Sequence, residues 1–177
     1  MVPPERLTAL FTTYHAALVR YLWRRTGDRD WAEEIAQETF VRAMAQPVIA
    51  SERSWLFAVA TNLVRDGARR DARARVRLER LKGEQESEGA SVDPEPTSME
   101  REESRARARG ALEQLGERDR EALLMKEEGL RYGEIAAALD LSPGSVGTTL
   151  SRARRRLMEA YESLDPDQGA RRETSAG

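Results

Sequence analysis

The chain has 177 residues, of which 34% are charged and 40% hydrophobic, with 29 Lys and Arg against 31 Asp and Glu. It contains one His and no Cys, which excludes disulfides, thiolate metal sites, cysteine nucleophiles and clusters of histidine ligands. No apolar run approaches the roughly 18 to 20 residues that a membrane span needs, and no charged-then-apolar leader opens the chain. We therefore expect a soluble, cytoplasmic protein without membrane insertion.

The composition predicts an all-α fold, because aromatic residues are few while Ala, Leu, Arg and Glu are frequent. Charge divides the chain: residues 65–80 hold seven arginines against three acids, and residues 82–104 hold eight acids against two bases. The acidic stretch has too few apolar residues to offset the entropy of ordering it. We predict an N-terminal helical domain at 1–81, a flexible acidic linker at 82–104, a C-terminal helical domain at 105–163 and a disordered tail at 164–177.

Three helices are predicted in the N-terminal domain. Apolar residues recur at helical spacing from Leu7 to Leu22, which predicts a first helix over about 5–25. Gly27 suits a left-handed cap at the end of this helix, and Asp28 can cap the second helix. The second helix ends before Pro47, because the residue that precedes a proline is forced out of the helical region.

The third predicted helix begins at Ser51, which can cap it, and extends into the arginine-rich segment. Its aromatic residues Trp55 and Phe57, like Trp31 of the second helix, are interpreted as core residues rather than base-stacking platforms. The arginines at steps of four form a slowly twisting stripe that matches a phosphate backbone better than a merely solvated helix face. These arginines are Arg65, Arg69, Arg73 and Arg77.

The C-terminal domain carries a helix-turn-helix pattern. One helix is predicted to end at Gly116, and a second to run from Glu117 to near Gly129. A short third helix is followed by a turn at 140–142, and Ser142 and Pro143 supply the cap and the first position of a fourth helix. The fourth helix is predicted to turn one small, polar and basic face to solvent, as a DNA-reading helix does. That face consists of Ser145, Thr148, Thr149, Arg152, Arg155 and Arg156.

The order of motifs identifies a family. Residues 30–43 (DWAEEIAQETFVRA) and 55–66 (WLFAVATNLVRD), with the pair Arg69 and Arg70, resemble the second conserved region of extracytoplasmic-function sigma factors of the sigma-70 family. Residues 115–124 (LGERDREALL), 132–136 (YGEIA) and 150–157 (LSRARRRL) are similar to the fourth region of the same family. The stretches occur in the family's order, with no third-region domain between them.

The resemblance implies a transcription initiation factor that has no catalytic residue, metal or cofactor of its own. Its partners would be the clamp helices and flap of bacterial core RNA polymerase, promoter DNA and an anti-sigma factor. The residues implied for polymerase binding are Glu33, Glu34, Gln37 and Glu38. Those implied for the minus-ten element are Asn62, Arg65, Arg69, Arg70 and Arg73, with the loop 46–53 capturing an unpaired base. Those implied for the minus-thirty-five element are Ser145, Thr148, Thr149, Arg152, Arg155 and Arg156.

The sequence differs from the family pattern at two positions of the fourth helix, and two other interpretations of the chain remain open. Gly147 and Thr149 stand where relatives often have Lys or Arg, so Thr149→Arg is expected to strengthen minus-thirty-five binding. His15 has no second ligand nearby and receives no role. One rival is a helix-turn-helix transcription regulator that binds DNA without docking on polymerase. The other is a helical interaction module whose main role is to be held by a regulatory partner.

Overall fold

The computed structural model describes residues 3–79 and 99–164. These residues form helices joined by turns, which confirms the predicted all-α class for the described part of the chain. The first three helices make up the N-terminal unit and the remaining four make up the C-terminal unit. The helices are α1 (Pro4–Thr26), α2 (Arg29–Ala45), α3 (Glu52–Glu79), α4 (Met99–Glu113), α5 (Glu117–Glu127), α6 (Tyr132–Leu139) and α7 (Ser145–Ser163).

The turn between α1 and α2 has the predicted caps. Gly27 adopts a left-handed conformation with φ of 78°, and its N–H donates to the carbonyl of Trp23 at 2.8 Å. The Asp28 side chain then accepts a hydrogen bond of 3.0 Å from the N–H of Trp31. Both features follow from local chemistry, since glycine enters the left-handed region without strain and a carboxylate satisfies a free amide at a helix start.

The core of the N-terminal unit lies between α1 and α3. Tyr21 and Phe57 are fully buried with ring centroids 5.1 Å apart, and the Tyr21 hydroxyl lies 2.7 Å from the hydroxyl of Thr61. Burial raises the pKa of Tyr21, so the phenol stays protonated. The core assignment of Phe57 is confirmed, whereas Trp31 and Trp55 are half-buried against the same core.

Replacement by alanine is expected to change stability in opposite directions at two glycines within helices. A Cβ at Gly67 would lie 2.9 Å from Cζ2 of the Trp31 ring, whereas a Cβ at Gly147 would lie 3.7 Å from the ring of Tyr132. Gly67→Ala is therefore expected to lower the free energy of unfolding by about 1 kcal/mol through overpacking. Gly147→Ala is expected to raise it by about 0.5–1 kcal/mol, because alanine costs less backbone entropy in a helix. Urea denaturation measures both changes, and stabilisation by both variants would contradict the Trp31 packing.

The turn between α6 and α7 begins at Asp140, as predicted, but α7 begins later than predicted. Asp140 ends α6 in the left-handed conformation, with φ of 53°, as its short polar side chain allows. The prediction that α7 begins at Ser142 and Pro143 is wrong, because α7 begins at Ser145. Ser142 contributes its main-chain carbonyl, which accepts from the N–H of Ser145 at 3.0 Å and from its hydroxyl at 2.8 Å.

The predicted linker is too long at its C-terminal end. Residues 99–104 belong to α4, and contacts with Tyr161 of α7 hold this helix in place. The Ser104 hydroxyl lies 3.1 Å from the Tyr161 hydroxyl, and Cζ of Arg107 lies 4.9 Å from the centroid of the Tyr161 ring. The remainder of the predicted linker lies outside the described residues. The predicted tail does so too, except for Leu164, whose N–H closes the end of α7.

The N-terminal and C-terminal units pack against each other. Helix α1 contacts α5, and α3 contacts α6. Leu18 and Leu56 of the first unit and Met125 and Ile135 of the second are fully buried members of one apolar cluster. The described parts of the two units therefore share a single core.

Candidate nucleic-acid interface

Helix α2 carries the residues predicted to dock on polymerase along one face. Glu34 and Gln37 are exposed. The Glu38 carboxylate accepts from Nε of Arg42 at 2.9 Å, and the Glu33 carboxylate lies 3.3 Å from Nε2 of His15. Because positions 33, 34, 37 and 38 recur with the helical period, the four side chains form a continuous polar and acidic surface. We call this set the α2 acidic face.

Exposed apolar residues adjoin the α2 acidic face, a feature that the sequence interpretation missed. Val41 and Met44 follow Gln37 at helical spacing and are exposed. Phe11 of α1 is also exposed, and its ring stacks on His15 with centroids 4.3 Å apart. A group of large exposed apolar side chains at a surface is typical of a protein-binding site.

Helix α3 presents the residues predicted to contact the minus-ten element. Asn62 is exposed, whereas Arg65 is half-buried and both its Nε and Nη2 donate to the carboxylate of Glu121 in α5, with Nε at 3.2 Å. The backbones of Arg69, Arg70 and Arg73 lie on the same helix, and their side chains lie outside the described residues.

The loop predicted to capture a base ends at Arg53, which already belongs to the first turn of α3. Its guanidinium donates to the main-chain carbonyls of Glu128 and Gly129, the latter at 3.2 Å. Val48, in the middle of this loop, is 70% exposed. The loop therefore offers an exposed apolar side chain, while its last residue is held by the C-terminal unit.

Helix α7 turns most of its predicted reading residues outward. Thr148 is exposed and the Arg155 side chain is 70% exposed, its Nε 3.7 Å from the carboxylate of Glu159 one turn away. Ser145 is half-buried beside Ser142. The prediction that Thr149 faces solvent is wrong: this residue is 5% exposed and lies next to the buried Leu150. An arginine at 149 would bring its charge into the core, so the expected gain in binding from Thr149→Arg is withdrawn.

Asp119 of α5 binds two arginines of the reading helix. Its carboxylate, 4% exposed, accepts from Nε and Nη2 of Arg152 and from Nη1 of Arg156, with distances of 3.0 Å to Nε and 3.1 Å to Nη1. The hydrogen bonds from Arg152 hold the pKa of the Asp119 carboxyl below its usual range, despite burial, and Arg156 adds to the effect. No pattern in the sequence predicts that Asp119 contacts arginines that lie 33 and 37 positions later in the chain.

The same contact changes the role expected of Arg152. A guanine edge is read by two parallel donors of one arginine, and two donors of Arg152 are already bound to Asp119. Among the described residues, Arg155 makes one long contact, with Glu159 of its own helix. Arg155 and Thr148 are thus the side chains on this face with the greatest freedom to reach DNA.

Other kinds of site find no support in the described part of the chain. Residues 3–79 and 99–164 contain no group of three His, Asp or Glu side chains that could hold a metal ion. None of the helices in these ranges is both long and apolar enough to cross a membrane.

Comparisons with known proteins find matches to both units of the chain. Residues 10–74 match the family described as Sigma-70 region 2, and residues 105–157 match the family described as Sigma-70, region 4. The chain is 31% identical over 164 residues to the ECF RNA polymerase sigma factor SigL of Mycobacterium tuberculosis, an alignment that covers 89% of this chain and 90% of that protein. It is 31% identical over 158 residues to the RNA polymerase sigma factor YlaC of Bacillus subtilis, covering 86% and 90%.

A solved structure has the same fold. The sigma factor RpoE of Bartonella quintana, determined in complex with the anti-sigma factor NepR, superposes with a TM-score of 0.63 at 22% sequence identity. The match covers 91% of this chain and 99% of that one. The likeness therefore extends over both units rather than over the helix-turn-helix alone.

Proposed function

The chain belongs to the extracytoplasmic-function sigma factors of the sigma-70 family, and from this membership we propose that it binds core RNA polymerase and directs promoter-specific transcription initiation. One observation carries the proposal: the same chain has an exposed α2 acidic face in its first unit and a helix-turn-helix with an outward basic helix in its second. A regulator that acts on DNA alone has no use for the first surface. Catalysis then belongs to the polymerase, and the factor works beside it in the cytoplasm.

Polymerase docking is proposed for the α2 acidic face. Glu34 and Gln37 are exposed and can meet a basic partner surface. Glu38 contacts Arg42 and Glu33 contacts His15, and a partner can replace these contacts at little cost. The cost is small because exposed charged contacts stabilise by only about 0–1 kcal/mol. Val41 and Met44 would add apolar contact area next to these acids. An acidic surface with an apolar border fits a basic, partly apolar helical partner such as the polymerase clamp helices.

Promoter recognition is proposed for two surfaces. The minus-ten surface comprises the loop 46–53 and α3, where an exposed Asn62 and the arginines can bind a strand whose bases have left the duplex. The residues proposed there are Asn62, Arg65, Arg69, Arg70 and Arg73.

The minus-thirty-five surface is the outer side of α7, with Arg155 and Thr148 nearest to DNA. Arg152 and Arg156 complete it as charges fixed by Asp119, and Ser145 lies at its start.

The proposed domain division follows the same surfaces. Residues 1–81 serve polymerase docking and the minus-ten element, the helices from Met99 to Ser163 serve the minus-thirty-five element, and residues 82–98 connect the two units. A regulatory anti-sigma factor is a further proposed partner. The family resemblance supports this partner, as does the likeness in fold to a sigma factor that was solved with one.

Run-off transcription tests the function. Addition of the chain to sigma-free core polymerase is expected to yield discrete transcripts from a subset of templates in a genomic promoter library, because only a promoter that carries both elements satisfies both surfaces. Core polymerase alone and the chain alone are the controls. A folded chain that binds core stably but supports no transcript from any template would contradict the proposal. Tight, promoter-specific DNA binding by the free chain, unaffected by core, would favour a helix-turn-helix regulator instead.

A further inference from the structure

Gly67 occupies an inward position of α3 that an aromatic ring of α2 fills. It follows the buried residues Ala60, Leu63 and Val64 by seven, four and three positions, so it continues the same face of the helix. A Cβ at Gly67 would lie 2.9 Å from Cζ2 and 3.7 Å from Cη2 of Trp31. The six-membered ring of the indole therefore lies against the main chain of α3.

This contact lies where α3 leaves the apolar core. Val64 is the last α3 residue among the buried members of the described core, while the helix continues to Glu79. Because a helix without a kink stays nearly straight, a tilt of about 10° at Gly67 moves Glu79, which lies about 18 Å further along the helix, by about 3 Å. The part of α3 that would move carries three arginines proposed for the minus-ten element, namely Arg69, Arg70 and Arg73.

Trp31 is held at the start of the helix that carries the α2 acidic face. Its N–H donates to the Asp28 carboxylate at 3.0 Å, so the cap of α2 fixes the residue that bears the ring. Glu33 and Glu34 of the α2 acidic face follow it within one turn. One ring-to-backbone contact thus joins the surface proposed for polymerase to the arginine-bearing end of α3.

The ring and the glycine are matched in size. A glycine inside a helix is less favourable than an alanine, because it loses more backbone entropy on folding. An alanine at Gly67 would nevertheless bring its methyl carbon within 2.9 Å of the Trp31 ring, whereas carbon atoms pack at about 3.5–4.0 Å. A larger residue at position 67 must therefore move α3 away from α2, and a smaller ring at position 31 leaves a gap between them.

We propose that Trp31 is a positioning residue for promoter melting: its ring, seated on Gly67, sets the angle at which the arginine-bearing end of α3 projects relative to the α2 acidic face. The proposal rests on the assignment of that face to polymerase and of α3 to the minus-ten element. It goes beyond this assignment, because the sequence interpretation placed Trp31 in the core and gave Gly67 no role. Trp31 acts through α3 rather than by touching DNA.

A distance measurement on the free, full-length chain tests the angle. The chain has no cysteine, so Ala45→Cys and Glu79→Cys place one spin label at the end of α2 and one at the end of α3 for electron paramagnetic resonance. Gly67→Ala is expected to shift the mean distance between the labels by about 2–4 Å, as a tilt of about 10° would. Trp31→Phe removes the ring atoms nearest to Gly67. The double variant Trp31→Phe with Gly67→Ala is expected to restore the original distance, because the methyl group takes the vacated space.

The rate of promoter melting tests the consequence for DNA. On a promoter that the wild-type chain transcribes with core polymerase, Gly67→Ala is expected to slow the appearance of permanganate-reactive thymines in the minus-ten element by about 10-fold. Its affinity for core should stay within about 2-fold of the wild-type value, because the α2 acidic face is unchanged. The double variant with Trp31→Phe is expected to recover the melting rate to within about 3-fold.

The matched control is Ile35→Val. It removes one methylene group from a buried residue of α2, four positions after Trp31, and leaves the contact with Gly67 intact. This variant is expected to be less stable than the wild type and yet to keep the label distance and a melting rate within about 2-fold of the wild-type value. Circular dichroism at the assay temperature checks that every variant is folded.

The outcomes separate the contact from the function. An unchanged label distance in folded Gly67→Ala, a shifted distance with an unchanged melting rate, or equally slow melting in Ile35→Val would each overturn the positioning role. If the wild-type chain supports no transcript, the initiation function fails, while a distance that shifts and is restored still supports the ring as what sets the α3 angle. If Gly67→Ala does not fold, Trp31→Phe alone takes its place with the same expected shift, since it loses the contact without overpacking.

Discussion

The double variant Glu34→Lys and Glu38→Lys is expected to bind core RNA polymerase at least about 100-fold more weakly than the wild-type chain, since like charges brought together at an interface cost several kcal/mol. Glu34 is exposed and Glu38 makes only a surface contact with Arg42, so neither change disturbs the core. Pull-down and fluorescence titration with sigma-free core polymerase measure the loss.

The matched control for this variant is Glu127→Lys with Glu162→Lys. These residues are exposed, lie in the C-terminal unit and make the same change in net charge. The control is expected to retain core binding within a few-fold, and the helical content of both variants should equal that of the wild type. Equal retention of core by the two double variants would remove the α2 acidic face from the docking surface.

The second large effect is expected at Asp119. Asp119→Asn removes the charge that holds Arg152 and Arg156 against α5 and is expected to lower the free energy of unfolding by about 2 kcal/mol at neutral pH. This value allows for the partial exposure of both arginines, which weakens their interaction with the carboxylate. Chemical denaturation at pH 7 measures the loss.

The pH dependence of this loss has a definite sign. The folded-state pKa of Asp119 is lowered, so its contribution is complete above the unfolded-state pKa of about 4 and disappears as the pH falls through the folded-state value. The difference between wild type and Asp119→Asn should therefore shrink in acid below about pH 4. Asp140→Asn is the control, because asparagine adopts the left-handed conformation as readily, and its effect should stay within about 0.5 kcal/mol. A difference independent of pH would show that the charge of Asp119 is not what stabilises α7.

The sequence predicted best the features that short-range chemistry decides. The caps at Gly27 and Asp28 depend only on neighbouring residues, and both are confirmed. The predicted start of α7 is two residues too early, because Ser142 was taken as a side-chain cap whereas its main-chain carbonyl makes the contact. Thr149 was assigned to the outer face although it lies at the edge of the inward stripe, beside Leu150, where a small rotation of the helix decides burial.

The contacts between distant charges were not predicted, for a physical reason. Glu121 and Glu128 look like ordinary surface acids of an exposed helix, and only the arrangement of the two units brings arginines of α1 and α3 to them. One signal was available: Glu121, Met125 and Glu128 recur at spacings of four and three, so the acids share a stripe with a core residue. Carboxylates on the inward stripe of a helix indicate buried basic partners, although they do not say which ones.

The single apolar core that runs through both units has a consequence for how the chain unfolds. Because the inner faces of α1 and α3 pack in the same cluster as those of α5 and α6, neither unit has a complete core of its own in this arrangement. Heating should then disrupt the two units in one cooperative transition, like a single domain of the combined size. Separation of the units would end that cooperativity and leave each unit with its own smaller core, as in small domains.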